Sequence, residues 1–227
     1  MIKFTTNFHF TIIFILTFLI SSFNSWSQNN IPKVYTGIPF KDNIYRKGAQ
    51  NIPGRIECKH FDLGGEGVAY HDKDTINNGS GPYNHQEGHC EPGAEYEAYF
   101  RINEGVDLSY AKEKLDFSHP NIFTPDRRQG FIGWTNDGEW CNYTVKVKKA
   151  GKYKIGFLYS NNIRTFKLSV NNQLAGEYTV PLKTGSPHYW NYVENIGTIS
   201  FSKAGLNLIT LHISGGMNYA YLQFTKE

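Results

Sequence analysis

Apolar residues fall at every second position along much of this chain. In 140–148 (WCNYTVKVK), Cys141, Tyr143, Val145 and Val147 lie on one side and Asn142, Thr144, Lys146 and Lys148 on the other, the period of a half-buried strand. The same alternation predicts strands over 55–61, 67–71, 96–102, 152–159, 165–170, 176–180, 198–202, 206–214 and 219–225. Turn chemistry separates them: Lys149-Ala150-Gly151, Asn171-Asn172-Gln173, Lys203-Ala204-Gly205 and Gly215-Gly216-Met217. Short strands at regular spacing with Gly and Asn turns predict an all-β sandwich or barrel. No long helical period competes, and 108–115 holds at most one turn of helix.

The two ends of the chain break this pattern. Residues 1–27 carry an early lysine, Lys3, an apolar run at 11–20 and a small-residue site at Ser25-Trp26-Ser27, the layout of a secretory signal peptide. The run is short for a bilayer span, so an uncleaved membrane anchor is the lesser reading. Cleavage would leave a protein that is secreted, periplasmic or held at the cell surface, with no membrane span. Residues 28–51 are polar and interrupted by Pro32, Pro39 and Gly48, an irregular leader along the domain edge. Residues 52–227 form a single domain.

Composition narrows the partners. The chain is 15% aromatic with 22 glycines, and its formal net charge is only +3, with Lys and Arg dispersed among strands and turns. A nucleic-acid binder would gather them on one face. Three cysteines, Cys58, Cys90 and Cys141, allow at most one internal disulfide, so this is no disulfide scaffold. Cys58 and Cys141 sit on apolar strand faces as buried thiols, and a bridge from Cys90 to Cys58 stays open.

Candidate chemistry sits in two loops. Trp134 precedes the turn Thr135-Asn136-Asp137-Gly138, where a strand cannot bury its ring, whereas Trp140 opens a strand and belongs to the sandwich. An exposed flat ring offers a stacking surface to the C–H face of a sugar. The segment 79–97 reads as an inserted polar loop; His85, Glu87, His89, Cys90, Glu91, Glu95 and Glu97 are metal-ligand types, but in no defined metal spacing. Carboxylates are plentiful, yet no facing pair, nucleophile elbow or phosphate loop stands out, so the reading is a non-catalytic protein. The alternative is a glycan-active hydrolase or lyase using the His- and Glu-rich loop 84–97 as a metal or acid–base site.

Three blocks together resemble the family 6 carbohydrate-binding modules: 52–72 (IPGRIECKHFDLGGEGVAYHD), 104–108 (EGVDL) with 131–147 (FIGWTNDGEWCNYTVKV), and 149–153 with 215–224 (GGMNYAYLQF). The resemblance runs from about Ile52 to the C-terminus. It implies a jelly-roll-like β-sandwich that binds a polysaccharide or oligosaccharide in a loop cleft and brings a partner, such as a glycoside hydrolase, or the cell surface to the glycan. Trp134 matches the family's stacking aromatic and Asn218 the asparagine of its last loop; the latter's bland role would be to cap the Gly215-Gly216 turn. The second stacking position departs from the pattern: Thr184-Gly185-Ser186 leads to Pro187, so Tyr189 is the substitute wall. Trp190, also a candidate for the ligand site, aligns better with an inward-packing residue. The family's cleft carboxylate falls near Ser109, with Asp107 two residues earlier on the same face. The resemblance also implies a structural calcium: Glu57 matches one of its acids, but Lys59 replaces the second and weakens the site.

Overall fold

The computed structural model describes residues 28–118 and 120–227, so the proposed signal peptide lies outside the described residues. Twelve strands are described: β1 (Gln50–Ile52), β2 (Gly54–Glu57), β3 (Tyr70–His71), β4 (Leu108–Tyr110), β5 (Gly130–Ile132), β6 (Trp140–Val147), β7 (Gly151–Asn161), β8 (Thr165–Val170), β9 (Gln173–Thr179), β10 (Trp190–Phe201), β11 (Gly205–His212) and β12 (Met217–Lys226). They form two sheets. One runs β1-β6-β11-β8-β9 with β3 beside β6; the other runs β10-β7-β12-β5-β4 with β2 beside β12. The fold is an all-β two-sheet sandwich, as the alternation predicts.

The core lies between the inner faces. Tyr143, Val145, Phe166, Leu168, Ile209 and Leu211 face Tyr153, Ile155, Phe157, Tyr159, Tyr219 and Leu222, all buried. Phe157 of β7 reaches across to Phe166 of β8 with ring centroids 4.9 Å apart. The second sheet also buries part of its outer face. A register shift in β12 between Tyr219 and Tyr221 is a bulge that sends both Ala220 and Tyr221 outward, where they pack with Phe131, Leu158 and Trp190. The segment after β4 covers this patch: Asp116 and Asn121 accept hydrogen bonds from Trp190.

Several expectations shift. Residues 96–102 are not a strand; α1 (Glu95–Ala98) stands there, and Ala94 and Ala98, four apart, pack on Tyr110 with helical spacing. The helical turn expected within 108–115 is α2 (Glu113–Asp116), preceded by the short β4. Strand β10 begins eight residues before 198, because its register breaks between Val193 and Gly197 and hides the alternation. Trp140 is half-buried beside the His71 ring, 6.3 Å between centroids, and is not a core residue; alternation places it with Asn142 on the outer face. All three cysteines are free thiols, Cys58 and Cys141 buried, so the bridge left open to Cys90 is not made. The leader runs along the sandwich edge, its Asn30 N–H donating to the Leu206 carbonyl. Among the described residues no helix is long and apolar enough to cross a membrane.

Candidate functional site

The site begins where β5 ends. The Gly133 N–H donates to the Asp107 carbonyl (2.9 Å), and Trp134 then takes φ 49°, a left-handed conformation uncommon outside glycine. That backbone turn throws the indole off the sheet and leaves it 43% exposed. Its orientation is fixed from behind. The Thr135 hydroxyl donates to the Met217 carbonyl (2.7 Å), the Gly216 N–H donates to the Thr135 carbonyl (3.0 Å), and the Gly215 N–H donates to the Asp137 carboxylate (2.8 Å). Gly215 and Gly216 of the β11–β12 connection and Met217 at the start of β12 thus brace the tryptophan turn.

Trp134 overlooks a cleft of about 480 Å³, lined also by Tyr83, Ser109, Lys112, Asn161, His188 and Asn218. Asn218 and Ser160 are cross-strand neighbours on β12 and β7. The Asn218 amide donates to the Ser160 hydroxyl (3.0 Å) and to the Pro187 carbonyl (2.8 Å). Both amide hydrogens are therefore engaged, and what Asn218 offers a ligand is its acceptor, Oδ1. The turn-capping role falls to Asn162 instead, which donates to the Gly216 carbonyl (3.0 Å). Asn161, at φ 86°, lines the cleft with a side-chain amide that makes no hydrogen bond among the described residues.

Of the other aromatics that line the cleft, Tyr83 is the one in ring contact with Trp134. Its ring meets Trp134 at 5.0 Å and 63°, so the two rings form a floor and an edge. Tyr83 ends a wide, kinked helical turn over Gly79–Tyr83, docked under the indole. Gly79 is required there: a Cβ at that position would come within 2.1 Å of the Leu108 carbonyl oxygen and 3.0 Å of the Trp134 ring. Tyr189 is half-exposed but does not line the cleft, whereas Pro187 and His188 of the same loop do. Trp190 is fully buried, with Nε1–H donating to Asp116 (2.7 Å), and has no surface to offer a ligand. These two placements correct the expected second wall.

Asp107 and Ser109 also take different roles. Asp107 is buried outside the cleft lining and accepts from the backbone and side chain of Asn78, fastening the start of the inserted loop. Burial pushes its carboxyl up to about 7, against the lowering effect of Asn78. Ser109 does line the cleft, but its hydroxyl donates to Asn84 Oδ1 (2.9 Å). Lys112 completes this floor, its ammonium donating to Asn84 Oδ1 and Ser109 Oγ, each at 2.9 Å. Burial pushes the Lys112 pKa down to about 8.

The sequence signal for Tyr83 was a lone aromatic between Gly79–Pro82 turn residues and Asn84, a ring no regular element could bury. Lys112, after Tyr110-Ala111, carried no such signal. The remaining loop residues hold the loop together instead of meeting at one point. His85 stacks on Tyr99 at 4.2 Å, His89 Nδ1 bonds the Tyr83 carbonyl (3.0 Å), and Glu91 accepts from the Glu113 N–H (2.5 Å). Among the described residues no three His, Cys, Asp or Glu side chains are grouped to hold a metal ion. The calcium expected at Glu57 does not fit its surroundings. Glu57 accepts from the Gln129 amide (2.7 Å) and from Arg55 (3.5 Å), with Lys59 adding a further positive charge, so N–H donors and cations occupy the space a calcium would need filled with oxygens.

Residues 109–226, more than half of the chain, match the family model described as carbohydrate binding module (family 6). The chain belongs to this family. Modules of family 6 are non-catalytic carbohydrate binders, and the match opens at Ser109 on the cleft floor and takes in Trp134, Asn161 and Asn218. Tyr83 lies ahead of the matched residues. Among solved structures, the chain is similar to the C-terminal family 6 module of LamC, a marine laminarinase from Zobellia galactanivorans, with 24% identity, 48% of this chain and 86% of that one covered, and a TM-score of 0.38. It is also similar to a family 6 module from Clostridium stercorarium in complex with cellobiose (14% identity, 80% and 99% covered, TM-score 0.47). A β-1,3-glucan-binding family 6 module from Bacillus halodurans gives 15% identity, 78% and 98% covered, and a TM-score of 0.46. No curated protein matches the chain.

Proposed function

We propose that this protein is a secreted, non-catalytic module that binds a polysaccharide in the cleft beneath Trp134 and brings a glycan-active partner enzyme, or the cell surface, to that glycan. The observation that carries this reading is the Trp134 indole, held off the sheet by a left-handed backbone and braced by the β11–β12 connection over polar groups that are still able to bond hydroxyls. The Asn218 acceptor and the Asn161 amide line the same cleft as the indole, which suits them to bond the hydroxyls of a sugar stacked on it. Non-catalytic action is supported by the cleft lining, where no Asp or Glu stands to form an acid–base pair among the described residues. Export is supported by the signal-peptide layout of residues 1–27.

Affinity electrophoresis against β-glucans, xylans, galactans and uronate-bearing polysaccharides, run beside a reducing-sugar assay, tests the reading. Retardation without new reducing ends is expected. Retardation with product release, or no retardation by any glycan, would overturn it.

A further inference from the structure

The floor of the cleft holds a buried cation that, among the described residues, makes no direct ion pair. Lys112 is only 3% exposed, and its ammonium donates to three neutral oxygens: Asn84 Oδ1 (2.9 Å), Ser109 Oγ (2.9 Å) and the Tyr110 carbonyl (3.4 Å). It also sits 3.8 Å from the centroid of the Tyr110 ring and 5.2 Å from that of Tyr83. Asp116 and Glu91 attract it through space, but neither forms an ion pair with its ammonium. Asp116 accepts from the Trp190 indole (2.7 Å), the Lys112 backbone N–H (2.7 Å) and His188 (3.2 Å), and Glu91 accepts from the Glu113 N–H.

A buried ammonium whose hydrogen bonds all go to neutral oxygens is satisfied in its donors, while its charge is offset only from a distance, by Asp116 and Glu91. Screening by water is weak at such a depth, so its field reaches into the cleft it lines. The lining contains Lys112 and no Asp or Glu, so the ammonium is the charge that the cleft wall itself presents, with Asp116 standing outside the lining against His188. Ser109 lines the cleft beside the ammonium, its hydroxyl donating to Asn84 and accepting from Lys112, so the two side chains are one bonded unit of the floor.

Resting on the carbohydrate-binding reading above, we propose that the cleft selects an anionic glycan, one whose sugar bears a carboxylate or a sulfate ester directed at the floor formed by Lys112 and Ser109. Trp134 supplies the stacking surface and Lys112 the discrimination between charged and neutral sugars of the same shape.

Isothermal titration of the purified protein tests this with matched probes: an oligogalacturonate and its carboxyl-reduced counterpart, and a sulfated galactan oligosaccharide and its desulfated counterpart. The charged member of at least one pair should bind about tenfold more tightly, and Lys112→Met, which keeps an apolar stem of similar length, should bring that ratio to about one. The pair that shows the preference identifies the anion as carboxylate or sulfate. A wild-type ratio under about threefold in both pairs, or a preference that survives in Lys112→Met, overturns the proposal. Should Lys112→Met fail to fold, salt decides: between about 50 and 500 mM NaCl the charged probe should weaken at least threefold more than the neutral one, and equal weakening overturns the proposal. If all four probes fail while a neutral polysaccharide still retards the protein, this inference alone falls. If no glycan binds at all, the carbohydrate-binding reading falls with it.

Discussion

Replacing Trp134 by alanine and, separately, by glycine distinguishes the work of its ring from the strain of its backbone. An indole side chain carries roughly 200 Å² of surface. At 43% exposure, roughly 90 Å² of Trp134 is open to a ligand. A sugar face covering about half of that area would gain about 1 kcal/mol at roughly 25 cal/mol per Å². Direct contact with the ring face adds about another 1 kcal/mol. The sum, about 2 kcal/mol, corresponds to an increase in Kd of about 30-fold on truncation. Titration calorimetry with the tightest glycan from the electrophoretic panel measures it, and a Kd for Trp134→Ala within about threefold of wild type would refute the stacking argument. Glycine should lose the same affinity but fold better. At φ 49° a residue with a Cβ is disfavoured by roughly 1 kcal/mol, so Trp134→Gly should melt above Trp134→Ala. The reverse order would show that the left-handed turn is not under strain.

Three further outcomes follow from the same geometry. Tyr83→Ala should weaken glycan binding by about three- to tenfold by removing the edge partner of Trp134, while Tyr83→Phe should stay near wild type; equal losses in the two variants would show that the hydroxyl, not the ring, matters. Burial raises the folded pKa of Asp107 to about 7 from an ordinary value of 3.8, so the stability it contributes is present in acid and lost as pH rises through about 7. Asp107→Asn mimics the protonated carboxyl, and its melting temperature relative to wild type should climb between about pH 5 and pH 8; a constant difference contradicts the assignment. Finally, millimolar calcium or EDTA should leave the melting temperature within about 1 °C, because cations and N–H donors surround Glu57; a calcium-dependent rise of several degrees would restore a metal site.

What the chain made legible depended on whether a residue's setting was local. The alternation in 140–148 and the turns at Gly151, Asn171 and Gly205 depend on near neighbours, and the strands they predict are present. Trp134 was readable for the same reason, since the polar turn beside it could not bury the ring. Tyr83 and Lys112 were not, because their roles come from contacts distant in sequence: Tyr83 meets Trp134, and Lys112 is buried by Asn84 and the Tyr83 ring. Tyr189 was favoured by strand alternation, but the chain before β10 is a turn in which that parity does not hold, and Pro187 and His188 take the wall instead. The metal-ligand types of 84–97 misled by composition. Proximity in sequence became dispersal in space once α1 and the turn over Gly79–Tyr83 had wound that segment.

The fastening of that segment has an evolutionary side. Two of its joints, the Gly79 backbone seated against Leu108 and the Asn78 amide on Asp107, use residues that precede the part of the chain that matches family 6, while Asn84 bonds Ser109 and Lys112 within that part. Exchanging the rest of residues 80–97 while keeping Asn78, Gly79, Asn84, Ala94, Asp107 and Leu108 would reshape the edge that a sugar meets and retain the bonds to Ser109 and Lys112 and the packing on Tyr110, so specificity at this edge can change apart from the sandwich that carries Trp134.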